Sequence, residues 1–442
     1  MPATQPPFKV IIVGGSVAGL TLAHCLQHAN IEHVVLEKGS DIAPQMGASV
    51  GIMPNGGRIL AQLNLFDAIE QYIEPTHKAH ITYPDGFNFA NVYPKILHER
   101  FGYPIAFLDR QKFLQILYEK YHAKHNILTN KKVVQVRKVD QGLRVTAADG
   151  SIYEGNLVIG ADGVHTMTVQ YSCVFGISSR IQNLEVHEQI NGLFDHLSIL
   201  TIHGKKGRVF WFIITKLQQK YIYPDVPRFS DKDAAKLIVK LKHVRFFKDV
   251  CVGDLWKNKE VYSMTALEEG LFRTWFFERM VLMGDSVHKM TPNFGQGANC
   301  AIEDAATLSS LLHDLINARG VQNPSDADIQ DLLSKYTEIR YSRMKMMCKT
   351  SAGVCRTQAR DGLYRTFSGR YLIPYSRNLP ADLASEVMAD AETITFLSCP
   401  NRAALGWQTW GKQARRMAHI HKLIWFMVLL SLGLFCYWLS GR

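Results

Sequence analysis

Residues 8–38 read FKVIIVGGSVAGLTLAHCLQHANIEHVVLEK. The stretch holds an apolar run from Val10 to Val13, a loop of small residues, apolar positions at helical spacing, and a second apolar run that ends at Glu37. Strand, tight turn, helix and strand in this order are typical of the opening βαβ unit of a dinucleotide-binding fold. The stretch therefore predicts an α/β protein whose first turn approaches a pyrophosphate.

The first loop carries Gly14, Gly15, Ser16 and Gly19, which we predict to contact the cofactor. Small residues let the backbone turn sharply and approach a phosphate, whose charge the following helix N-terminus favours. Ser16 replaces the middle glycine of the usual GxGxxG pattern. Glu37 closes the next strand at the position expected to bond a ribose hydroxyl, and a solvated charge at the strand end is the alternative.

Arg110 is predicted to face an anion. The segment FLDRQKF at residues 107–113 opens an amphipathic helix that Asp109 is expected to cap. A cation in the first turn opposes the helix dipole, so a ligand of negative charge would explain Arg110. A plain surface arginine is the alternative.

Two more glycine-rich segments accompany these motifs. Gly47, Gly51 and Gly57 belong to a loop ahead of a helix expected to start near Gly57, where backbone approaches a ligand or simply turns. The sequence GADG at residues 160–163 follows an apolar strand and places Asp162 in a turn at the edge of the nucleotide domain.

The most specific motif is GDSVHKMTPNFGQGANCAIEDA, residues 284–305. It resembles the second cofactor segment of FAD-dependent enzymes, and FAD is too long for one loop, so this segment is expected to hold its flavin half. Asp285 would accept hydrogen bonds from ribityl hydroxyls or order water near the pyrophosphate, and Pro292 would bring the loop across the flavin edge. The backbone positions expected to approach the ring, at the start of a helix over 298–312, are Gly295, Gly297, Ala298 and Asn299.

The order and spacing of these motifs resemble the single-component FAD monooxygenases built like p-hydroxybenzoate hydroxylase, over about residues 8–340. The segments GASVGIMPNGGRIL and CVFGIS and the apolar C-terminus most resemble fungal FAD-dependent epoxidases of meroterpenoid and indole-diterpene biosynthesis. The resemblance places the family's FAD contacts on five positions of this chain: Glu37, Gly51, Arg110, Asp285 and Ala298.

This resemblance implies a reaction in which NAD(P)H, bound transiently, provides electrons and O2 provides one oxygen atom. The expected substrate is a prenylated aromatic or indole compound whose terminal alkene, on a farnesyl or geranylgeranyl chain, becomes an epoxide. The alternatives are an aromatic hydroxylase, an isoprenoid reductase and an inactive membrane-bound flavoprotein paralogue.

Two departures from the family pattern bear on the site. The segment after Asp162-Gly163-Val164-His165 runs almost directly into CVFGIS, where relatives carry a helix of twenty-odd residues. Relatives often have a pocket tyrosine where this chain has Phe194, and Tyr221 is the substitute candidate for its catalytic role.

The resemblance and the motif positions predict a discontinuous organisation. Residues 8–75, 105–168 and 275–332 are expected to form a Rossmann-like FAD-binding domain, and residues 76–104 and 169–274 an inserted, sheet-containing substrate domain. A helical region over 333–422 is expected to follow.

The end of the chain predicts a single membrane anchor. Residues 423–440, LIWFMVLLSLGLFCYWLS, carry no charge and follow Lys422. Eighteen helical residues span about 27 Å, enough for a bilayer core. We expect an endoplasmic-reticulum anchor with a cytosolic catalytic domain, and membrane-bound prenyltransferases and terpene cyclases as pathway neighbours. A buried C-terminal helix is the alternative.

Composition excludes other classes. The net charge of +11 is spread along the chain without a Lys/Arg block, which argues against nucleic-acid binding. The eight cysteines form no CxxC pair, and the histidines lack metal-ligand spacing, so we expect neither a disulfide framework nor a metal site.

Overall fold

The computed structural model describes residues 7–45, 49–139, 142–163, 168–400, 402 and 405–410. Its strands, in chain order, are β1 Lys9–Val13, β2 Glu32–Leu36, β3 Ser49–Ile52, β4 Lys78–Thr82, β5 Asn88–Asn91, β6 Ala106–Asp109, β7 Ile127–Leu128, β8 Val133–Val139, β9 Gly142–Ala147, β10 Ile152–Gly155, β11 Leu157–Gly160, β12 Thr168–Ser178, β13 Glu188–Phe194, β14 Leu197–His203, β15 Val209–Ile222, β16 Arg245–Phe247, β17 Val250–Cys251, β18 Lys259–Leu271, β19 Phe276–Phe277, β20 Met280–Leu282 and β21 His288–Lys289. Its α-helices are α1 Val17–His28, α2 Pro54–Gln62, α3 Phe66–Glu70, α4 Tyr93–Phe101, α5 Arg110–Glu119, α6 Asp231–Leu241, α7 Val252–Lys257, α8 Gly297–His313, α9 Asp326–Gln358, α10 Leu363–Phe367 and α11 Leu379–Ala389.

A six-stranded sheet in the order β19-β20-β11-β1-β2-β7 forms the first layer. Strand β1 runs parallel to both of its neighbours, β11 and β2. Val10 and Ile12 pack under helices, whereas Ile11 packs against the antiparallel sheet β8–β10 on the other face. Burial on both faces explains the continuous apolar run and confirms the predicted strand, turn, helix and strand.

Helices α1 and α8 pack against each other beside this sheet. Gly284 lies between their first turns, with φ +58°, and a Cβ there would come within 3.2 Å of both Ala18 and Ala301. The absence of a side chain at Gly284 therefore lets two loops that are far apart in sequence meet at the N-termini of α1 and α8.

An eight-stranded sheet in the order β21-β18-β12-β15-β14-β13-β4-β5 forms the second unit. Its inner face carries a buried cluster that includes Leu200 and Phe212 and also contains Met53 and Phe107 of the first unit. Its outer face is covered by α6 and α7, and Trp211 lies in the cluster between them. Side chains of the long strands thus alternate between the two clusters.

Three features of the connections bear on the predictions. Helix α2 begins at Pro54, before the start predicted near Gly57, because a proline fits a first turn where no N–H is needed. Strand β12 begins at Thr168, and residues 164–167, which include His165, lie outside the described residues. Gly47 also lies outside them.

Helix α9 spans 33 residues, about 50 Å at 1.5 Å per residue, and packs against both units. No helix within the described residues is long and apolar enough to cross a membrane. The predicted anchor at residues 423–440 lies outside the described part of the chain.

Candidate active site

The first glycine loop has no room for side chains. Gly14 has φ +109°, and a Cβ there would lie 2.7 Å from the carbonyl oxygen of Ala161. A Cβ on Gly19 would lie 1.9 Å from the carbonyl oxygen of Gly14, because the first turn of α1 packs directly on the loop. Gly15 is limited by Ile42, whose Cδ1 would be 2.5 Å from a Cβ. The loop is therefore as tight as the sequence predicts.

Glu37 is held at the end of β2 by backbone amides. The N–H of Gly15 donates to its Oε2 at 2.7 Å, and the N–H of Gly39 donates to its Oε1 at 2.7 Å. A carboxylate has about four acceptor sites, so each oxygen keeps capacity for a ligand hydroxyl. The half-buried carboxylate is thus oriented beside the loop, where a ribose would need an acceptor.

Arg110 lies beside this loop. Asp109 caps α5 by accepting a hydrogen bond from the N–H of Gln111 at 2.9 Å, which confirms the predicted cap. Arg110 donates from Nη2 to the hydroxyl of Ser16 at 2.8 Å. Burial lowers the pKa of Arg110, and the charges of Asp285 and Glu37 oppose that shift. The structure therefore brings together four polar side chains, at Ser16, Glu37, Arg110 and Asp285, from three separate sequence motifs.

Asp285 projects into a recess. It is exposed, although Gly284 before it and Ser286 after it are buried. Surrounding protein raises the pKa of the Asp285 carboxyl by desolvation, and the charges of Lys289, His288 and Arg110 oppose the shift. An accessible carboxylate that is nonetheless enclosed by protein fits a cleft for a polar chain.

The loop at residues 291–299 closes the other end of this cleft. Gly295 has φ +66°, and α8 begins at Gly297 after a 3-10 turn over Pro292–Phe294. A Cβ on Gly297 would meet no protein atom within 4 Å, so the space beside it is open. Ala298 is half-buried at the first turn of α8. Backbone N–H groups at a helix N-terminus next to open space suit an electron-rich ring edge.

The side chain of Asn299 has a function that sequence reasoning, which considered only its backbone, did not predict. It accepts a hydrogen bond from the N–H of Met53 at 3.0 Å and donates to the carbonyl oxygens of Gly51 and Gly295 at 2.9 and 2.8 Å. Asn299 thereby joins β3 to the glycine loop. Gly51 is close-packed as well, since a Cβ there would come 2.8 Å from the ring of Phe107.

A buried charge network behind the cleft was also not predicted. Glu303 accepts hydrogen bonds from Arg340 at 2.6 Å, from Arg343 at 2.6 and 2.7 Å, and from Asn55 at 2.7 Å. Burial alone would raise the pKa of Glu303, but Arg343 and Arg340 lower it. Two adjacent acidic residues in the buried helix α8, at Glu303 and Asp304, were the available signal.

Asp304 fixes the loop that carries Asp285. It accepts hydrogen bonds from the N–H of Gly284 at 2.9 Å, from His288 Nε2 at 2.7 Å and from Arg340 Nε at 2.7 Å. His288, Asp304 and Arg340 are buried. The network therefore ties α8, α9 and the Asp285 loop into one unit.

The remaining predicted residues lie elsewhere. Asp162 is exposed near the first loop, since a Cβ on Gly14 would come 2.9 Å from its Cα. Phe194 packs against the outer cluster of the eight-stranded sheet. Tyr221 pairs with Val169 near the end of β15. Phe194 thus lies on the face of the sheet opposite the cluster that contains Met53 and Phe107, and the catalytic roles of Phe194 and Tyr221 stay predictions.

The residues present fit FAD. Glu37 and Asp285 are acceptors for hydroxyl groups, Arg110 is a cation for the pyrophosphate, and the open space beside Gly297 is where a side chain would obstruct a ring. Arg110 interacts with Glu37 and Asp285, and Gly284 before Asp285 packs against α8, so these groups connect the end of β2 with α8.

Comparison with known proteins gives the same assignment. The family model described as an FAD binding domain matches residues 7–351. The chain is 52% identical to the FAD-dependent monooxygenase penM of Penicillium crustosum, covering 96% of this chain and 94% of that protein. It is 46% identical to the FAD-dependent monooxygenase paxM of Penicillium paxilli, covering 96% and 94%.

Solved structures share the fold. Klebsiella pneumoniae HpxO, complexed with FAD and uric acid, superposes with a TM-score of 0.73 at 19% identity, covering 87% of this chain and 97% of that one. A salicylate hydroxylase superposes with a TM-score of 0.64, also at 19% identity, over 84% of this chain and 92% of that one. On the evidence of its cleft, its matched family and its relatives, this chain belongs to the FAD-binding monooxygenases and is an FAD-dependent monooxygenase.

Proposed function

We propose that the enzyme epoxidises the terminal alkene of a farnesyl- or geranylgeranyl-bearing aromatic or indole intermediate in secondary-metabolite biosynthesis. One atom of O2 enters the alkene and the other leaves as water, with two electrons from NAD(P)H and protons from NAD(P)H and solvent. Relatives named FAD-dependent monooxygenases, at 46–54% identity, support the reaction class.

The apolar inner face of the eight-stranded sheet is the main structural support for this proposal. It is lined by apolar side chains that reach from the strands to the FAD loops: Met53, Phe107, Leu200, Phe210, Phe212 and Leu267. The terminal methyl of Met53 would lie 2.2 Å from a Cβ on Gly295, so this lining extends to the loop itself. Each buried CH2 of a prenyl chain contributes about 0.8 kcal/mol, which favours a hydrocarbon substrate.

Neutral amides lie between this lining and the loop. Asn293 donates from Nδ2 to Oε1 of Gln358 at 2.6 Å, and Gln358 donates to Oδ1 of Asn191 at 3.5 Å. Gln189, which lies on β13 together with Asn191, donates to the hydroxyl of Tyr93 at 3.0 Å. Amides and a phenol suit an uncharged head group, such as an indole N–H or a phenol, better than a carboxylate.

The chain's residues position the reactants. FAD, reduced by NAD(P)H, supplies the oxygen chemistry. Arg110 and Asp285 would hold its polar chain, and the N-terminus of α8 would favour negative charge at the ring edge. The apolar lining would exclude water from the reacting centre. No acid for opening the epoxide is assigned to this chain, so a separate terpene cyclase would consume the product.

Membrane attachment completes the proposal. The uncharged run at residues 423–440 would anchor the enzyme in the endoplasmic-reticulum membrane with its catalytic part in the cytosol. A prenylated substrate would then be exchanged with a bilayer that also holds the prenyltransferase and the cyclase of the pathway.

The experiment is incubation of the full-length protein with prenylated aromatic and indole compounds, NADPH and 18O2, followed by mass spectrometry. An uncyclised epoxide, or its diol, should carry one 18O atom from O2. The matched control is Asp285→Ala, which should give less labelled product without added FAD because it binds the cofactor more weakly. Ring hydroxylation with the alkene intact would instead assign an aromatic hydroxylase, and hydrogen peroxide as the sole product would contradict epoxidation.

A further inference from the structure

Residues 363–375 present an unusual exposed apolar surface, which we call the 363–375 surface. Its large apolar side chains are each at least 38% exposed, with Leu363 at 92% and Tyr375 at 79%: Leu363, Tyr364, Phe367, Tyr371, Leu372, Ile373 and Tyr375. Soluble monomers seldom expose a contiguous apolar patch of this kind without a partner.

The helical segment that carries this surface directs its large apolar side chains towards solvent and its small residues towards the protein. Leu363 and Phe367 of α10 lie outward, whereas Thr366 is half-buried and Gly369 is buried. A Cβ on Gly369 would come 3.2 Å from the hydroxyl of Tyr83, so small residues are the ones that fit against the protein. A helix of a soluble protein normally buries its apolar face, but a helix that lies in a membrane interface presents that face outward.

The charge of this surface is positive. Residues 363–375 contain Arg365 and Arg370 and no acidic residue, Arg377 follows, and Asp361 and Asp382 flank the segment. Arg370 pairs with Asp85 at 3.2 Å and lies 3.5 Å above the ring of Phe87, while Arg377 is exposed. Arginines among aromatic and aliphatic side chains complement anionic phospholipid headgroups over acyl chains.

The surface also adjoins the proposed substrate path. Gln358, at the end of α9, contacts Asn293 of the flavin loop, and α10 begins shortly after it. A cleft of about 480 Å³ opens beside the surface, and its lining includes Asp85, Arg360, Leu363, Phe367, Arg370 and Tyr371. A lipophilic molecule that leaves a bilayer at this face would meet the cleft directly.

We propose that the 363–375 surface lies on an anionic bilayer and that the cleft beside it is the entrance for membrane-dissolved substrate. This contact is separate from the anchor expected at residues 423–440 and does not depend on it. The entrance rests on the proposed use of a prenylated substrate, whereas the bilayer contact itself does not.

Site-specific photo-crosslinking tests the contact. The full-length protein, loaded with FAD, is placed in phosphatidylcholine–phosphatidylserine vesicles with p-benzoylphenylalanine in place of Leu363, Phe367 or Tyr371. The matched control carries it in place of Phe277, which is 65% exposed on β19 of the other sheet. We expect a mass increase of one phospholipid at the three surface positions and none at Phe277.

Other products of the same reaction overturn the proposal. A crosslink to a second copy would assign the surface to a dimer. A crosslink within the chain to residues 423–440 would assign it to an internal contact. Lipid adducts no more frequent than at Phe277 would show that the surface lies in solvent. None of these readouts depends on turnover, so a failure of the proposed epoxidation is recognised separately.

The entrance is tested with the triple variant Leu363→Ser, Phe367→Ser and Tyr371→Ser in the full chain. With unchanged FAD content, it should lose turnover of a substrate dissolved in vesicles and keep turnover of the same substrate in detergent. Equal turnover in vesicles by the variant and the unaltered protein would overturn the entrance.

Discussion

Arg340 donates from Nε to Oδ1 of Asp304 at 2.7 Å, and neither side chain is accessible to solvent. The pair joins α9 to α8 directly behind the loop that carries Asp285. Removal of one partner from a buried ion pair leaves the other charge desolvated, which is far more costly than the loss of an exposed pair.

Arg340→Met should therefore destabilise the protein by about 3–5 kcal/mol and release FAD. Arg319→Met is the matched control, because Arg319 pairs with Asp314 on the surface and its loss should cost less than about 1 kcal/mol. Thermal unfolding, followed by circular dichroism and flavin fluorescence, measures both effects. Equal unfolding temperatures for the two variants would contradict the structural importance of the buried network.

Asp285→Ala should weaken FAD binding by roughly tenfold to a hundredfold, since the polar chain of the cofactor loses a partner at a cost of ~1–3 kcal/mol. The flavin content of the purified protein and titration of the apoprotein with FAD measure the effect. Asp249→Ala changes an aspartate whose side chain is 89% exposed and should retain FAD normally. Full flavin content and normal turnover in Asp285→Ala would refute the assigned contact.

Gly297→Val should separate cofactor binding from folding. No protein atom lies within 4 Å of a Cβ at this position, so the apoprotein should unfold at the unaltered temperature while FAD is excluded. Gly19→Ala is the contrasting variant, because its Cβ would lie 1.9 Å from the carbonyl oxygen of Gly14 and should prevent folding. A Gly297→Val protein that still binds FAD would place the cofactor elsewhere.

Stability should fall as the pH decreases from 6.5 towards 4. Burial lowers the pKa of His24 from 6.5 to about 4, although its Nε2 donates to the carbonyl oxygen of Leu117 at 2.7 Å. In this window the unfolded chain binds a proton at His24 that the folded protein does not bind. His24 alone therefore lowers the free energy of unfolding by on the order of 3 kcal/mol.

Urea denaturation between pH 7.5 and 4 measures this dependence. His24→Gln, which keeps a donor for Leu117, should be less sensitive to acid than the unaltered protein. His125→Gln, at an exposed position, should not change the slope. Identical slopes in all three proteins would exclude His24 as the titrating group.

Truncation after Lys422 should release the enzyme into the soluble fraction, because it removes the uncharged run at residues 423–440. Fractionation with high-salt and carbonate washes measures the release. Since the 363–375 surface is expected to bind only at the membrane interface, carbonate should detach the truncated protein. Continued pelleting after both washes would place the anchor in another part of the chain.

The tight glycine loop before α1 and the N-terminal cap of α5 were predictable because they depend on local sequence. Gly19 packs on the carbonyl oxygen of Gly14, and Asp109 accepts from the N–H of Gln111, so both act within five residues of themselves. The role of Asn299 was not predictable, since its partners Met53 and Gly51 lie 246 and 248 residues away in the chain. Phe194 illustrates a further limit, because strand alternation does not reveal which face of a sheet meets the cofactor.

The position of α9 has a consequence for biosynthesis on the ribosome. The two carboxylates of α8, at Glu303 and Asp304, have Arg340 and Arg343 of α9 as their arginine partners, and Arg340 contacts both acids. Until those arginines have left the exit tunnel, the nascent chain has to keep both acids in water, and α8 cannot settle against α1. The cofactor is therefore captured late in translation, after about three quarters of the polypeptide has emerged, and a ribosome that stalls earlier yields a chain without a flavin site.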